Sequence, residues 1–306
     1  MHAPTLARWV GDPDTFFTSY WRRRPAVFRP PGGGRSPFGL QDVDEALASG
    51  FLREPYIEMT NAEQPLGADS YTSARTVNRS VHRGFADEAK IRALLDDGAT
   101  LLLRCLDQWH RPTGAVLAEL AEELQRPVEA FFFVTPAGHQ GLPLHRDDAD
   151  VLVVQVAGRK EWQVHEGPAD GHWGPGSVGR ERPPAQVLRT TVGPGDVLYL
   201  PRGFAHQATG DEGLSAHLSL TIREIALTDL CRSLQSLSLE GLGLAPRPVD
   251  DEAIVASAAE VLAHVRARLA GLDPEELVHR ARRARLAAAP GPRSALSLTE
   301  LAAKKP

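Results

Sequence analysis

The sequence predicts a mainly β fold with helices: an antiparallel sandwich or barrel, with a mixed region before it and a helical segment after it. Three observations carry this reading. From Val128 to Thr221, short apolar or alternating runs are separated by Gly, Pro and Asp turns. The first hundred residues mix helix signals with short strands, and after about residue 226 apolar residues recur at helical spacing. The 306 residues are 42% apolar and 24% charged, the balance of an ordinary globular chain, which excludes disordered, collagen-like and coiled-coil classes.

Asp12-Pro13 supplies an N-cap with Pro at the first helical position, opening a short helix through Phe16, Phe17 and Tyr20. Pro25 to Phe28 then reads as a strand. Pro30 to Gly34 (PPGGG) is a turn, and no Gly-Lys-Ser/Thr follows to hold phosphate and magnesium, so it is not a P-loop. A helix is expected at Asp42 to Ser49, strands at Tyr56 to Met59 and Leu101 to Leu106, and a helix between them from Glu88 to Leu95. In the β region the expected strands are Val128 to Thr135, Asp150 to Val156, Glu161 to Val164, Val187 to Val192, Val197 to Leu200 and Leu214 to Ile222, with a hairpin turn at Gly158.

Beyond it, Thr228 caps a helix carrying Leu230, Leu234 and Leu237 that ends at Gly241. Asp250 or Asp251 opens a second, with Ile254, Ala258, Val261, Val265 and Leu269 on one stripe, and Asp273-Pro274 starts a third. Such helices must bury their stripes on the β domain or on a second subunit. The basic run HRARRAR (279 to 285) reads as a solvated helical face, and the Pro/Ala-rich tail from Pro290 as frayed. The domain boundaries follow: 1–226, 227–289 and 290–306.

With 39 acidic and 34 basic residues the net charge is -5, which gives no overall attraction to nucleic acid or anionic lipid, so neither a direct nucleic-acid partner nor a membrane is expected. The first residues lack the basic and apolar regions of a signal peptide, and a cytoplasmic protein is expected. Cys105 and Cys231 are too few for a disulfide framework or a structural zinc site and read as two small buried apolar residues.

The chemistry lies in two motifs. His145-Arg146-Asp147 precedes a strand, and on extended backbone residues i and i+2 share a face, so an imidazole and a carboxylate meet one ion. Alone this is weak, since about 0.7 such pairs arise by chance at this composition. The second motif is sharper. Gly195, Pro201, Gly203 and His206 form a spaced set: a Pro194-Gly195-Asp196 turn enters the strand VLYL, and Pro201 and Gly203 then bend the chain so that His206 starts the next strand facing inward. Two His and one Asp on one face of an octahedral ion leave open positions, the arrangement diagnostic of non-haem Fe(II) oxygenases. A satisfied core histidine is the alternative for either residue singly, and the two motifs in order favour the metal.

The runs TPAGHQGLPLHRDDADVLVVQVAGRKEWQVH (135 to 165) and GDVLYLPRGFAHQATGDEGLSAHLSLT (195 to 221), with FFTSYWRRRPAVF (16 to 28), resemble the JmjC-type ribosomal oxygenases, a cupin branch of the Fe(II)/2-oxoglutarate oxygenases. The resemblance implies a double-stranded β-helix, the cupin/JmjC jelly roll, with His145, Asp147 and His206 as iron ligands. It also implies Fe(II) as cofactor and 2-oxoglutarate and O2 as co-substrates. Lys160 is placed to pair with the distal carboxylate of 2-oxoglutarate. An ammonium inside a barrel needs an anion, and Lys160 is one of only four lysines. Thr135, Tyr199 and His217 fall in matching stretches near the co-substrate, and Gly141 and Thr221 near the substrate; core packing is the competing explanation for these.

The implied activity is hydroxylation of a side chain in a protein or peptide, a His or Arg of a ribosomal protein in the family, by a homodimer joined through residues 227 to 289. Asp147 in place of a small residue leaves no ligand vacancy for halide, which favours hydroxylation over halogenation. Two departures stand out. Relatives carry polar Asn and Tyr where this chain has Phe131 and Phe133, and they continue into a winged helix for which the residues past Gly271 are too few. Another protein, a peptide or a peptide natural product therefore stays open as substrate. The readings of other classes are a non-catalytic cupin metal-binding sensor or scaffold and a zinc or manganese enzyme on the same barrel. Gly174-Pro-Gly176-Ser-Val-Gly179 fits a dinucleotide fingerprint only formally, since no strand precedes it and Pro-Pro follows soon after.

Overall fold

Two short helices, α1 (Ala7–Val10) and α2 (Pro13–Ser19), open the computed structural model, which describes residues 5–179, 183–243, 247–290 and 298–303. Asp12 accepts the Asp14 amide at 3.1 Å with Pro13 at the first helical position, as the dipeptide predicts. Strand β1 (Ala26–Phe28), helix α3 (Leu40–Ala48) and strand β2 (Ile57–Thr60) follow, each within two residues of expectation. A hairpin of β3 (Thr72–Val77) and β4 (Ser80–Ala86) comes next, then α4 (Glu88–Asp96) and β5 (Thr100–Leu103). Strand β5 stops short of Leu106 because Cys105 takes a left-handed turn (φ 52°) and Leu106 begins a short helix, α5 (Leu106–Trp109). Helix α6 (Arg111–Leu124) then leads into the β region.

That region contains β6 (Val128–Thr135), β7 (His145–Arg146), β8 (Ala149–Ala157), β9 (Lys160–His165), β10 (Gly176–Ser177), β11 (Gln186–Val192), β12 (Val197–Leu200), β13 (His206–Gly210) and β14 (Ser215–Arg223). Residues Arg180 to Arg182, in the stretch after the glycine-rich run, lie outside the described residues. The strands form two antiparallel sheets, a larger one in the order β1-β12-β8-β14-β6-β5-β2 and a smaller one in the order β10-β7-β13-β9-β11. The Gly158 hairpin forms as expected: at φ 58°, with a Cβ there landing 2.4 Å from the Leu214 carbonyl oxygen, only glycine fits.

Strand alternation sorts the side chains into two cores. Val151, Val153, Leu198 and Leu200 of the larger sheet meet Trp162, Val164, Val192 and Ala208 of the smaller one between the sheets. The alternate residues, such as Leu152, Val154, Leu218, Leu220 and Phe132, face outward and are covered by Trp9 and Phe16 of the first helices and Leu117, Leu120 and Leu124 of α6. This is the expected two-sheet jelly roll.

By contact the chain divides into two units. One takes in the described residues of Met1–Leu124, Val128–Arg223 and Pro290–Pro306; the other is Gln125–Pro127 with Glu224–Ala289. The second unit holds α7 (Leu227–Leu239), α8 (Asp251–Leu269) and α9 (Pro274–Ala288). Ala226, not Thr228, caps α7, because Asp229 reaches back to the Ala226 amide at 2.8 Å. Asp250 caps α8 as expected; on its stripe Val261, Val265 and Leu269 are half-buried while Ile254 and Ala258 are exposed, and off the stripe Val255 and Leu262 are more than half exposed. The basic face of α9 is partly internal. Ala281 is buried, Arg282 and Arg126 both hold the buried Glu224 carboxylate, and Arg285 holds Asp229. Cys105 is half-buried and Cys231 exposed, a correction to the expectation that both are buried. The tail contributes a short helix, α10 (Leu298–Ala303), and the rest of it after Pro290 lies outside the described residues, Lys304 and Lys305 included. No helix among the described residues is long and apolar enough to cross a membrane.

Candidate metal centre and its pocket

His145 and His206 form a cross-strand pair between β7 and β13, so their side chains emerge side by side, with ring centroids 4.3 Å apart. Asp147, two residues beyond His145, turns its carboxylate to both. Its oxygens lie 3.8 Å from His145 Nε2 and 3.6 Å from His206 Nε2. The three ligand atoms all fall within 4.8 Å of one another, and among the described residues no other such cluster of His, Cys, Asp and Glu forms.

Both rings are aimed by the backbone. His145 Nδ1 donates to the Pro143 carbonyl at 2.8 Å and His206 Nδ1 to the Phe204 carbonyl at 3.0 Å. That fixes the tautomer in which each Nε2 lone pair points at the shared space, the outer-shell arrangement of metal-binding histidines. Burial, helped by the neighbouring His145 and opposed by Asp147, pushes His206 down to about 4, so its ring is neutral and a competent ligand at neutral pH. The bend before His206 forms as the Pro201 and Gly203 spacing predicts. Gly203 has φ 81°, and its amide donates to the Asp147 carbonyl at 3.0 Å, lacing the two ligand-bearing segments together.

The cluster sits in a cavity of about 250 Å³ between the two sheets. At its depth lies Lys160, 2% exposed, its ammonium donating to Thr135 Oγ1 at 2.8 Å. Among the described residues no carboxylate pairs with it, and burial lowers it from 10.5 to about 7. Thr135 also accepts from Thr100 Oγ1 at 3.0 Å. Beside them His217 stacks on Phe133 with centroids 4.8 Å apart, and its Nδ1 is buried without a hydrogen-bond partner. Burial first, then Lys160 and His206, hold its ring well below the usual histidine range.

Of the other expected site residues, Thr221 lines the cavity. Gly141 lines it too, but at the lysine end: a Cβ there would lie 3.4 Å from Thr135 Oγ1 and 3.7 Å from Lys160 Nζ. Tyr199 is not in the cavity at all. In β12, Leu200 faces the cavity, so parity turns Tyr199 to the opposite face, where its hydroxyl donates to Asp150 Oδ1 at 2.6 Å and accepts the Arg22 amide at 2.9 Å. The cavity also takes in Ser219, Arg223, Gln207, Leu142 and Arg104, none of them anticipated. Ser219 and Arg223 share the strand parity of His217 and Thr221, a signal sufficient to find them. Arg104, at the end of β5, is brought in by sheet order alone. At the mouth Arg104 pairs with Glu58, and Arg223 pairs with Glu129 at 2.7 Å.

Residues 107–230 match the family described as JmjC domain. Ribosomal oxygenase 1 of Rattus norvegicus is 31% identical over 219 residues, covering 68% of this chain and 35% of that protein. Ribosomal oxygenase 2 of Bos taurus is 28% identical over 230 residues, covering 68% of this chain and 44% of that protein. The chain thus spans less than half the length of these curated relatives. Among solved structures, Escherichia coli YcfD in complex with cobalt and 2-oxoglutarate superposes with a TM-score of 0.53 at 18% identity, covering 87% of this chain and 69% of that one, a likeness of fold.

Proposed function

The chain belongs to the JmjC-domain, ribosomal-oxygenase-like family, and from that premise we propose that it is an Fe(II)- and 2-oxoglutarate-dependent oxygenase that hydroxylates a side chain of a protein or peptide. A ribosomal protein is the substrate class that its relatives' names suggest. One observation carries the reading: a three-ligand cluster with backbone-fixed tautomers shares one cavity with a buried, unpaired ammonium. The donor set fits the metal, and the ammonium fits a dicarboxylate.

His145 Nε2, His206 Nε2 and an Asp147 oxygen would hold the iron, leaving it free to take up the keto acid and O2. The metal, with O2 and the keto acid, supplies the oxidising power; the chain supplies geometry and water exclusion. Lys160 and Thr135 bind the distal carboxylate, and the unpartnered His217 Nδ1 offers a further polar contact beside them. Phe131, Phe133, Val151, Val153 and Trp162 keep the inner walls apolar. Thr221, towards the end of β14, meets the substrate. The enzyme works in the cytoplasm as a homodimer joined through residues 227–289, whose exposed Ile254, Val255 and Leu262 leave apolar surface for a partner copy; a monomeric mass by light scattering would refute the dimer.

The test is an anaerobic titration of Fe(II)-loaded protein with 2-oxoglutarate. A visible charge-transfer band, given by a keto acid chelated to Fe(II), is expected. Bound iron without the band overturns the oxygenase reading in favour of a metal-binding cupin module.

A further inference from the structure

Asp150 begins the outward-facing row of β8 and is fully buried, a position where a carboxylate persists only with its oxygens satisfied. Its donors come from two distant parts of the chain, the segment before β1, and β12 with the turn after it. Arg22 Nε reaches Oδ2 at 3.1 Å, the Tyr199 hydroxyl reaches Oδ1 at 2.6 Å, and the main-chain amide of Arg202 reaches Oδ1 at 3.2 Å. The Arg22 backbone amide in turn donates to the Tyr199 oxygen at 2.9 Å, which closes a ring of hydrogen bonds.

The placement matters because of what flanks it. Asp150 lies three residues after Asp147, and Arg202 lies four residues before His206. The carboxylate therefore clamps the segment that leaves one ligand to the segment that approaches another, and the Gly203 amide on the Asp147 carbonyl is the adjoining tie. Neither Asp150 nor Tyr199 lines the cavity, so neither touches metal or substrate.

We propose that Asp150, with Tyr199 and Arg22, is the positioning centre that sets the spacing of Asp147 from His206, an inference that rests on the metal-binding reading above. A charged acceptor is used because three N–H or O–H donors converge on it, one from the segment before β1 and two from β12 and the turn after it. Loss of the charge loosens the two ligand segments relative to each other without emptying the core.

The experiment is titration of metal-free protein with Co(II), followed by visible absorption and paired with thermal unfolding. Asp150→Asn is expected to weaken Co(II) binding by at least about tenfold, the scale on which outer-shell partners act, and to alter the ligand-field spectrum. Tyr199→Phe, which loses one hydroxyl and no volume, should show the same change at smaller size, and it serves if Asp150→Asn does not fold. Leu117→Ala, a cavity on the α6 side of the fold, controls for stability and should lower the unfolding temperature with Co(II) affinity intact. Parent-like Co(II) affinity and spectrum in folded Asp150→Asn, or in Tyr199→Phe where only that variant folds, overturns the proposal. Failure of the parent protein itself to bind Co(II) would instead strike the metal-binding reading.

Discussion

Asp147→Ala is expected to reduce 2-oxoglutarate turnover to below a tenth of the parent rate, measured as succinate formed with Fe(II) and O2 supplied. The side chain is 42% exposed and its carboxylate faces the two Nε2 atoms at 3.6 and 3.8 Å rather than any structural donor. Its one structural tie, the carbonyl that accepts the Gly203 amide, belongs to the backbone and survives the substitution. The variant should therefore fold, as far-ultraviolet circular dichroism would show, and lose the ion. Outer-shell partners of a metal ligand are worth 10- to 100-fold in affinity, so removing a ligand outright costs more, and metal affinity should fall by over about a hundredfold. Two neutral imidazoles remain, with no negative charge to offset the divalent ion. A folded Asp147→Ala that retains more than a tenth of turnover defeats the assignment of the triad.

The triad was legible because its information is local. The i, i+2 spacing of His145 and Asp147 and the Gly-Pro-Gly bend before His206 each fix a direction within a few residues, and only the pairing of β7 with β13 had to be supplied by the fold. Lys160 was legible through the family resemblance, which places a basic residue there, and chemistry supported it, since an ammonium inside a barrel needs an anion. Tyr199 misleads because it lies in a motif-rich stretch, while strand parity alone sends it to the opposite face from Leu200. The β3–β4 hairpin is invisible to periodicity for a different reason. Most of its residues are exposed, so neither face needs apolar side chains, and its turn residues Asn78 and Arg79 adopt positive φ without a glycine to signal it. Helix α6 is the opposite case: Leu117, Leu120 and Leu124 are spaced for one buried stripe, a readable pattern absent from the expected elements.

Replacing Lys160 should produce two effects of opposite sign. With Fe(II) bound anaerobically, Lys160→Met is expected to raise the Kd for 2-oxoglutarate about a hundredfold, since removing one partner of a buried ion pair costs some 2–5 kcal/mol. Without ligand, the same substitution should stabilise the fold. The ammonium titrates at about 7 in the folded chain against 10.5 in the open. Below pH 7 both states hold the proton and the penalty of burying it is complete; between 7 and 10.5 only the unfolded state holds it, so stability climbs with pH; above 10.5 the penalty is gone. That penalty amounts to several kcal/mol, and Lys160→Met removes it, so the unfolding temperature of the ligand-free variant at neutral pH should rise. The same titration sets the pH dependence of binding. A dicarboxylate pairs with the charged amine, so the parent's affinity should be flat below pH 7 and fall as pH rises above it, by up to tenfold per unit, because binding must then take up a proton. Lys160→Met should show no such fall. Gly141→Val tests the same end of the cavity sterically, since its side chain would grow toward Thr135 and the Lys160 ammonium. It should weaken 2-oxoglutarate binding and leave Fe(II) binding unchanged. If Lys160→Met binds 2-oxoglutarate as the parent does, the ammonium is not the carboxylate's partner, and the cavity was built for a different ligand.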